Sequence, residues 1–85
     1  MSVQTQEAAY RLARAIVSDI AVYNEKKLKL GIEQDDLFVR LEQDIKEGLA
    51  HYQSRASSID ARAVLFHHAL VDVLYQQALT RAQDL

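Results

Sequence analysis

Cysteine, proline and tryptophan are absent from this chain, and glycine occurs only at Gly31 and Gly48. Without cysteine there is no disulfide framework and no thiolate metal site. A β-rich fold of this length needs more turn residues than two glycines and no proline supply, so composition favours an all-α class. Nothing approaches 18 uninterrupted apolar residues, so no bilayer span is expected. The N-terminus has no basic segment leading into an apolar core, so no signal peptide is expected and a cytoplasmic protein is the default. Net charge is −2 with acids and bases interspersed, which argues against the basic face that nucleic-acid binding needs. There is no glycine-rich phosphate loop and no recognisable nucleophile–histidine arrangement, so neither enzyme activity nor a cofactor is expected.

What is present is amphipathic periodicity. With 85 residues the chain forms one domain, 1–85, whose core is marginal by size, and oligomerisation is the expected support. The spacing predicts three long helices, at about 4–30, 35–55 and 58–82, in an up-down-up bundle completed or extended by association. An alternative is that the first two helices pair while the third fills a second copy's core.

The first helix has Ser2 and Thr5 as alternative N-caps and a main seam of Ala9, Leu12, Ala13, Ile16, Ile20, Tyr23 and Leu30. Gly31 reads as its stop, with Lys26, Lys27 and Lys29 complementing the dipole in its last turn. A second seam of Tyr10, Arg14, Val17, Ala21, Asn24 and Leu28 follows a 4–3 heptad rhythm. Arg14 and Asn24 either fix register there or leave that face half-exposed.

The second helix buries Phe38, Leu41, Ile45, Leu49 and Tyr52, with Leu37 beside them, and Asp35 or Gln34 as cap. Gly48 at the seam's edge suggests close approach of a neighbouring helix. Ser57 and Asp60 resemble a capping box for the third helix. That helix carries the most apolar stretch, residues 63–79, and two seams. Ile59, Ala63, Phe66, Leu70, Val73 and Gln77, flanked by Ala69 and Leu74, form one. Val64, His68, Val71, Tyr75 and Ala78, beside Leu79, form the other. One seam closes a three-helix monomer, and a second implies a further surface to cover.

Several residues match a pattern known elsewhere: Leu12-Ala13-Arg14, Ile16-Val17-Ser18-Asp19-Ile20, and Tyr23-Asn24 with Gly31 seven positions later. Asp36-Leu37-Phe38, Arg40-Leu41, Asp44-Ile45, Tyr52, Arg55, Phe66 and Ala69-Leu70-Val71 continue it. In this the chain resembles a helical module at the C-terminal end of acidobacterial and deltaproteobacterial proteins, which has no firmly assigned activity. The resemblance implies a helical, self-associating or docking element and no enzyme chemistry. The stretch beyond Leu74 departs from the pattern, and no attached N-terminal domain of the kind found in those proteins is expected.

The expected function is therefore a non-enzymatic protein–protein interaction or oligomerisation module, a homodimer or higher oligomer that scaffolds or docks in a larger bacterial complex. Its expected interface is Tyr10, Val17, Ala21, Leu28, Val64, His68, Val71, Tyr75 and Ala78. His68 in that surface is either a satisfied contact or a pH-sensitive one. The alternative is a small metal- or ligand-binding bundle using His51, His67 or His68 with nearby carboxylates. Glu47–His51 and His68–Asp72 each place two ligands on one helix face.

Overall fold

A computed structural model describes residues 4–76 and Leu79. Those residues are helical with no strand, as the composition implies, but three long helices are not what forms. The order is α1 (Gln6–Tyr23), α2 (Glu25–Gln34), α3 (Leu37–Arg40), α4 (Glu42–Ala56), α5 (Val64–Ala69) and a π-helical segment, Leu70–Tyr75.

Thr5 is the cap of α1. Its backbone is extended, and its hydroxyl accepts from the Ala8 N–H at 3.1 Å. The expected first helix is broken at Asn24, whose side-chain amide donates to the Ile20 carbonyl at 2.8 Å. That local bond competes with the helical ladder, which is why asparagine disfavours helix interiors. The Asn24 carbonyl still accepts from Leu28 N, so α2 follows at once.

Gly31 does not end this helix. It lies inside α2, which runs on to Gln34 and closes at Asp35 in the left-handed region, φ 57°. Asp35 N–H bonds the Ile32 carbonyl and Asp36 N–H bonds the Gly31 carbonyl, the paired closure of a Schellman motif. Gly31 serves packing instead. A methyl there would sit 2.6 Å from the Leu37 Cα, so its absence lets α3 turn back against α2. With α2 extended, Lys26, Lys27 and Lys29 fall outside its last turn, and the expected dipole role lapses. Lys27 pairs instead with Asp44 on α4 at 3.1 Å.

The expected second helix is interrupted at Leu41, between α3 and α4. Gln34 and Asp35, its expected caps, instead end α2, and Asp36 stands at the start of α3 with its carboxylate on the Arg40 guanidinium at 2.6 Å. α4 packs on α1, where Gly48 faces Ile20 and Ile16, and its Asp44 meets Lys27 of α2. A methyl at Gly48 would lie 2.9 Å from Ile16 Cγ2, so this glycine does mark a close helix approach, as its position suggested.

The third helix begins at Val64, not near residue 58. Ser57 sits in a turn, and the loop ends at Ala63 with φ 56°. α5 and the π segment pack on α1 of the same chain. Ala9, Ala13, Val17, Ile20, Ala21 and Leu28 of the first two helices join Leu41, Tyr52 and Ala56 in the core. Phe66, Ala69, Leu70, Val73 and Leu74 complete it from the last helix. Tyr52 and Phe66 anchor it, with ring centroids 5.5 Å apart and planes tilted by 39°.

Candidate functional site

The loop before α5 is held by Asp60, the one buried charged residue among the described residues. Asp60 Oδ2 accepts from the Tyr52 hydroxyl at 2.8 Å and from Leu65 N–H at 2.8 Å. Its Oδ1 accepts from Val64 N–H at 2.9 Å. The carboxylate therefore satisfies the first two orphan amides of α5 from four residues upstream. The partnership with Ser57 expected from the sequence does not form. Burial pushes the Asp60 carboxyl up, but the Tyr52 hydroxyl, the two amides and nearby His67 together hold it below the ordinary aspartate value. Burial, then the bond and charge of Asp60, raise the Tyr52 hydroxyl far above the usual tyrosine range. All of this braces the start of α5.

Downstream of that brace lies the exposed part of the last helix. Val64, Val71 and Tyr75 are 47, 58 and 52 % exposed, large apolar side chains left in solvent. His68 is exposed among them, and Leu79 is partly so. Ala78 and Gln77 lie outside the described residues. The face opposite, with Phe66, Ala69, Leu70, Val73 and Leu74, is the one buried on α1 and α4. The division of this helix into a core side and an outer side is thus the one its sequence implies.

Two corrections apply to the expected interface. Val17, Ala21 and Leu28 are 0, 6 and 0 % exposed and belong to the chain's own core. The last helix already covers α1, so the second seam of the first helix is spent inside the monomer. The main seam, conversely, loses Tyr23 and Leu30, which are 83 and 44 % exposed beside the break at Asn24. Of that second seam, Tyr10 stays half-buried and Arg14 exposed. Arg14 donates to the Tyr10 hydroxyl at 3.3 Å, with its guanidinium 5.8 Å from the ring centroid. The Tyr10 hydroxyl in turn donates to Asp72 of the π segment.

The second correction concerns winding. In an unbroken α-helix, Val64, His68, Val71 and Tyr75 would lie within about 60° of one another, while Leu74 would sit about 80° from Phe66. A π turn closes i→i+5 bonds and so advances each residue by less than an α turn does. The segment therefore swings Leu74 toward the Phe66 side, where it is fully buried, and swings Tyr75 off the Val64 line. The four outer residues are exposed but are not the straight heptad row that their spacing describes.

A cleft of about 410 Å³ runs beside the α2–α3 turn, lined by Gly31, Ile32, Leu37, Phe38, Val39 and Leu79 among others. Phe38, expected in the core of the second helix, is 50 % exposed there. A second cleft of about 350 Å³ contains Asp19, Asp44, Glu47 and His51. Asp44 is engaged by Lys27, and Glu47 accepts from Gln43. His67 and His68 are exposed on α5, away from this cleft. Among the described residues, no three histidine, aspartate or glutamate side chains are disposed to hold a metal ion. Also among the described residues, no helix is long and apolar enough to cross a membrane. Comparison with protein-family models, with curated proteins and with solved structures finds no match to this chain.

Proposed function

We propose that this chain is a non-enzymatic interaction module that self-associates, most simply as a homodimer, and docks or scaffolds in a larger bacterial assembly in the cytoplasm. The observation that carries the reading is that Val64, Val71 and Tyr75 are left half-exposed on a helix whose other side is already used for the core. An apolar side chain left in water costs roughly 25 cal/mol per Å² of surface that a partner could cover. A second copy offers the same uncharged face, and an isologous contact needs no complementary charge elsewhere. Asp72 of the π segment borders this face and accepts the Tyr10 hydroxyl, which Arg14 also meets. The resemblance through Tyr23-Asn24, Gly31, Tyr52 and Arg55 points to the same class of function.

The test is mass by light scattering. The monomer is 9.7 kDa, and twice that mass is expected at concentrations on the order of tens of micromolar. Val71→Glu places a charge in the contact and should return the protein to monomer while it stays folded. A specific contact should bury about 1,200–2,000 Å² in total. A wild-type monomer at these concentrations, with Val71→Glu indistinguishable from it, would sink the reading.

A further inference from the structure

The cleft beside the α2–α3 turn follows from the close approach that Gly31 permits. α3 is a single helical turn, Leu37–Arg40, so its successive side chains diverge by about 100° and cannot all face inward. Leu37 packs against the core, while Phe38 and Val39 stay exposed as a wall. Ile32 and Leu79 add apolar surface, and the space between them is about 410 Å³. Small-molecule sites span roughly 300–1,000 Å³, mostly apolar, with a few polar groups that orient the ligand.

Among the described residues lining the cleft, the charged ones are Asp35 and Asp36. Asp36 is neutralised by Arg40 at 2.6 Å. The Asp35 carboxylate is exposed and takes no hydrogen bond or ion pair from the described residues. Its place is adverse twice over. The backbone is left-handed, φ 57°, where glycine is the usual residue, and the charge sits at the negative end of the α2 dipole. A residue that works against its own helix, at the mouth of an apolar cleft, is where function is to be sought before stability.

We propose that this cleft binds a small aromatic amine. The ring lies against Phe38, Val39, Ile32 and Leu79, and the ammonium meets Asp35. The charge decides the class of ligand. Asp35 and the carboxyl end of α2 both attract a cation and both repel an anion. A bare metal ion does not fit, because one free carboxylate on an apolar wall supplies too few oxygens. Phe38 suits an aromatic amine in particular, since its exposed face can stack on a ring or receive a cation. The cleft shares none of Val64, Val71 and Tyr75, so the site stands apart from the self-association reading.

The experiment titrates the full chain with phenethylammonium and follows its backbone and methyl NMR shifts. Phenethyl alcohol and phenylacetate, of nearly the same shape, serve as neutral and anionic counterparts. The cation should give saturating shifts at Ile32, Leu37, Phe38 and Val39, with a dissociation constant on the order of millimolar. The alcohol should bind about threefold more weakly, the difference that an exposed ion pair supplies, and the acid more weakly still. Asp35→Asn should bring the cation down to the level of the alcohol and leave the alcohol unchanged. Phe38→Ala should weaken both, and thermal melts check that each variant is folded. Shifts that never saturate, a cation that binds no more tightly than the alcohol, or saturating shifts at Asp19, Glu47 and His51 instead would overturn the proposal. Light scattering without amine decides self-association separately, so either reading can fail alone.

Discussion

The Tyr52 hydroxyl donates to Asp60 at 2.8 Å, joining the middle of α4 to the loop that starts the last helix. Both residues are buried, and Asp60 spends its remaining capacity on the Val64 and Leu65 amides. One carboxylate thus sets where α5 begins, and through α5 sets which side chains of the last helix face outward. Fold and candidate surface meet at this pair.

Removing either member should be costly, and unequally so. Tyr52→Phe keeps the ring against Phe66 and takes away one donor to a buried charge. It should destabilise by about 1.5–3 kcal/mol, the range for hydrogen bonds to charged groups. Asp60→Ala removes the cap, about 1 kcal/mol, and orphans the buried phenol, about 1–3 kcal/mol more. Urea denaturation of the two variants should therefore rank Asp60→Ala at or below Tyr52→Phe. The opposite ranking would mean that the amides of α5 do not depend on this carboxylate.

The same pair predicts a pH dependence with a defined sign. The folded state holds Asp60 below its ordinary value, so the folded state resists its protonation. The contribution is present above the unfolded pKa of about 3.9 and is lost as pH falls from there through the folded value. The stability difference between wild type and Asp60→Asn should shrink as pH falls below about 4. Urea midpoints of both proteins across that range measure it. A difference that stays constant down to pH 2 would show that Asp60 is not held ionised by its partners.

The all-α class and most of the core were readable from the chain because burial imposes period. Ala9, Ala13, Ile20, Leu41, Tyr52, Phe66, Leu70 and Val73 fall on the predicted seams and are buried. The breaks were not readable. Asn24 ends α1 through a side-chain bond to the Ile20 carbonyl four residues back, a local competition that the apolar spacing of the seam does not register. Asp60 reads as the acid of a box with Ser57, because spacing cannot reveal that its amide partners lie downstream and its hydroxyl partner on another helix. The burial of Val17 and Ala21 depends on how the last helix packs on α1, and that of Leu28 goes with α2, which packs against α3, tertiary matters with no local signature. The π segment is the deepest omission. Its residues carry an ordinary α-helical pattern, and only the packing of Leu74 and the bond from Tyr10 set it apart.

The two glycines should respond differently to a methyl group. At Gly48 the neighbours are side chains, Ile16 Cγ2 at 2.9 Å and Ile20 Cδ1 at 3.1 Å, which can shift slightly. Gly48→Ala also gains about 1 kcal/mol of helix propensity against an overpacking cost of about 1–3 kcal/mol, for a net loss of up to about 2 kcal/mol. At Gly31 the obstacle is the backbone of Leu37, 2.6 Å away, so the whole of α3 must move. Gly31→Ala should cost more than Gly48→Ala in urea denaturation and should expose the α2–α3 turn to proteolysis. Equal losses would indicate that α3 yields as easily as an isoleucine side chain.

Asp35 is a surface position where stability should rise on substitution. It is exposed, holds a left-handed backbone with φ 57°, and places a negative charge at the carboxyl end of α2. Both features are adverse. A left-handed conformation costs an L-residue about 1–2 kcal/mol, less for aspartate than for most. An acid at a helix C-terminus opposes the dipole by about 0.3–1 kcal/mol. Asp35→Gly removes both but adds unfolded-state entropy of about 0.5–1 kcal/mol, leaving a net gain of about 0.5–1 kcal/mol. Asp35→Asn removes only the charge, so its gain should be smaller and should fade in high salt. Ala63 has nearly the same backbone, φ 56°, but its methyl is buried. Ala63→Gly forfeits that burial, about 0.8 kcal/mol, and should be close to neutral. Thermal melts of the three variants test the set, and a gain at Ala63→Gly larger than at Asp35→Gly would contradict it.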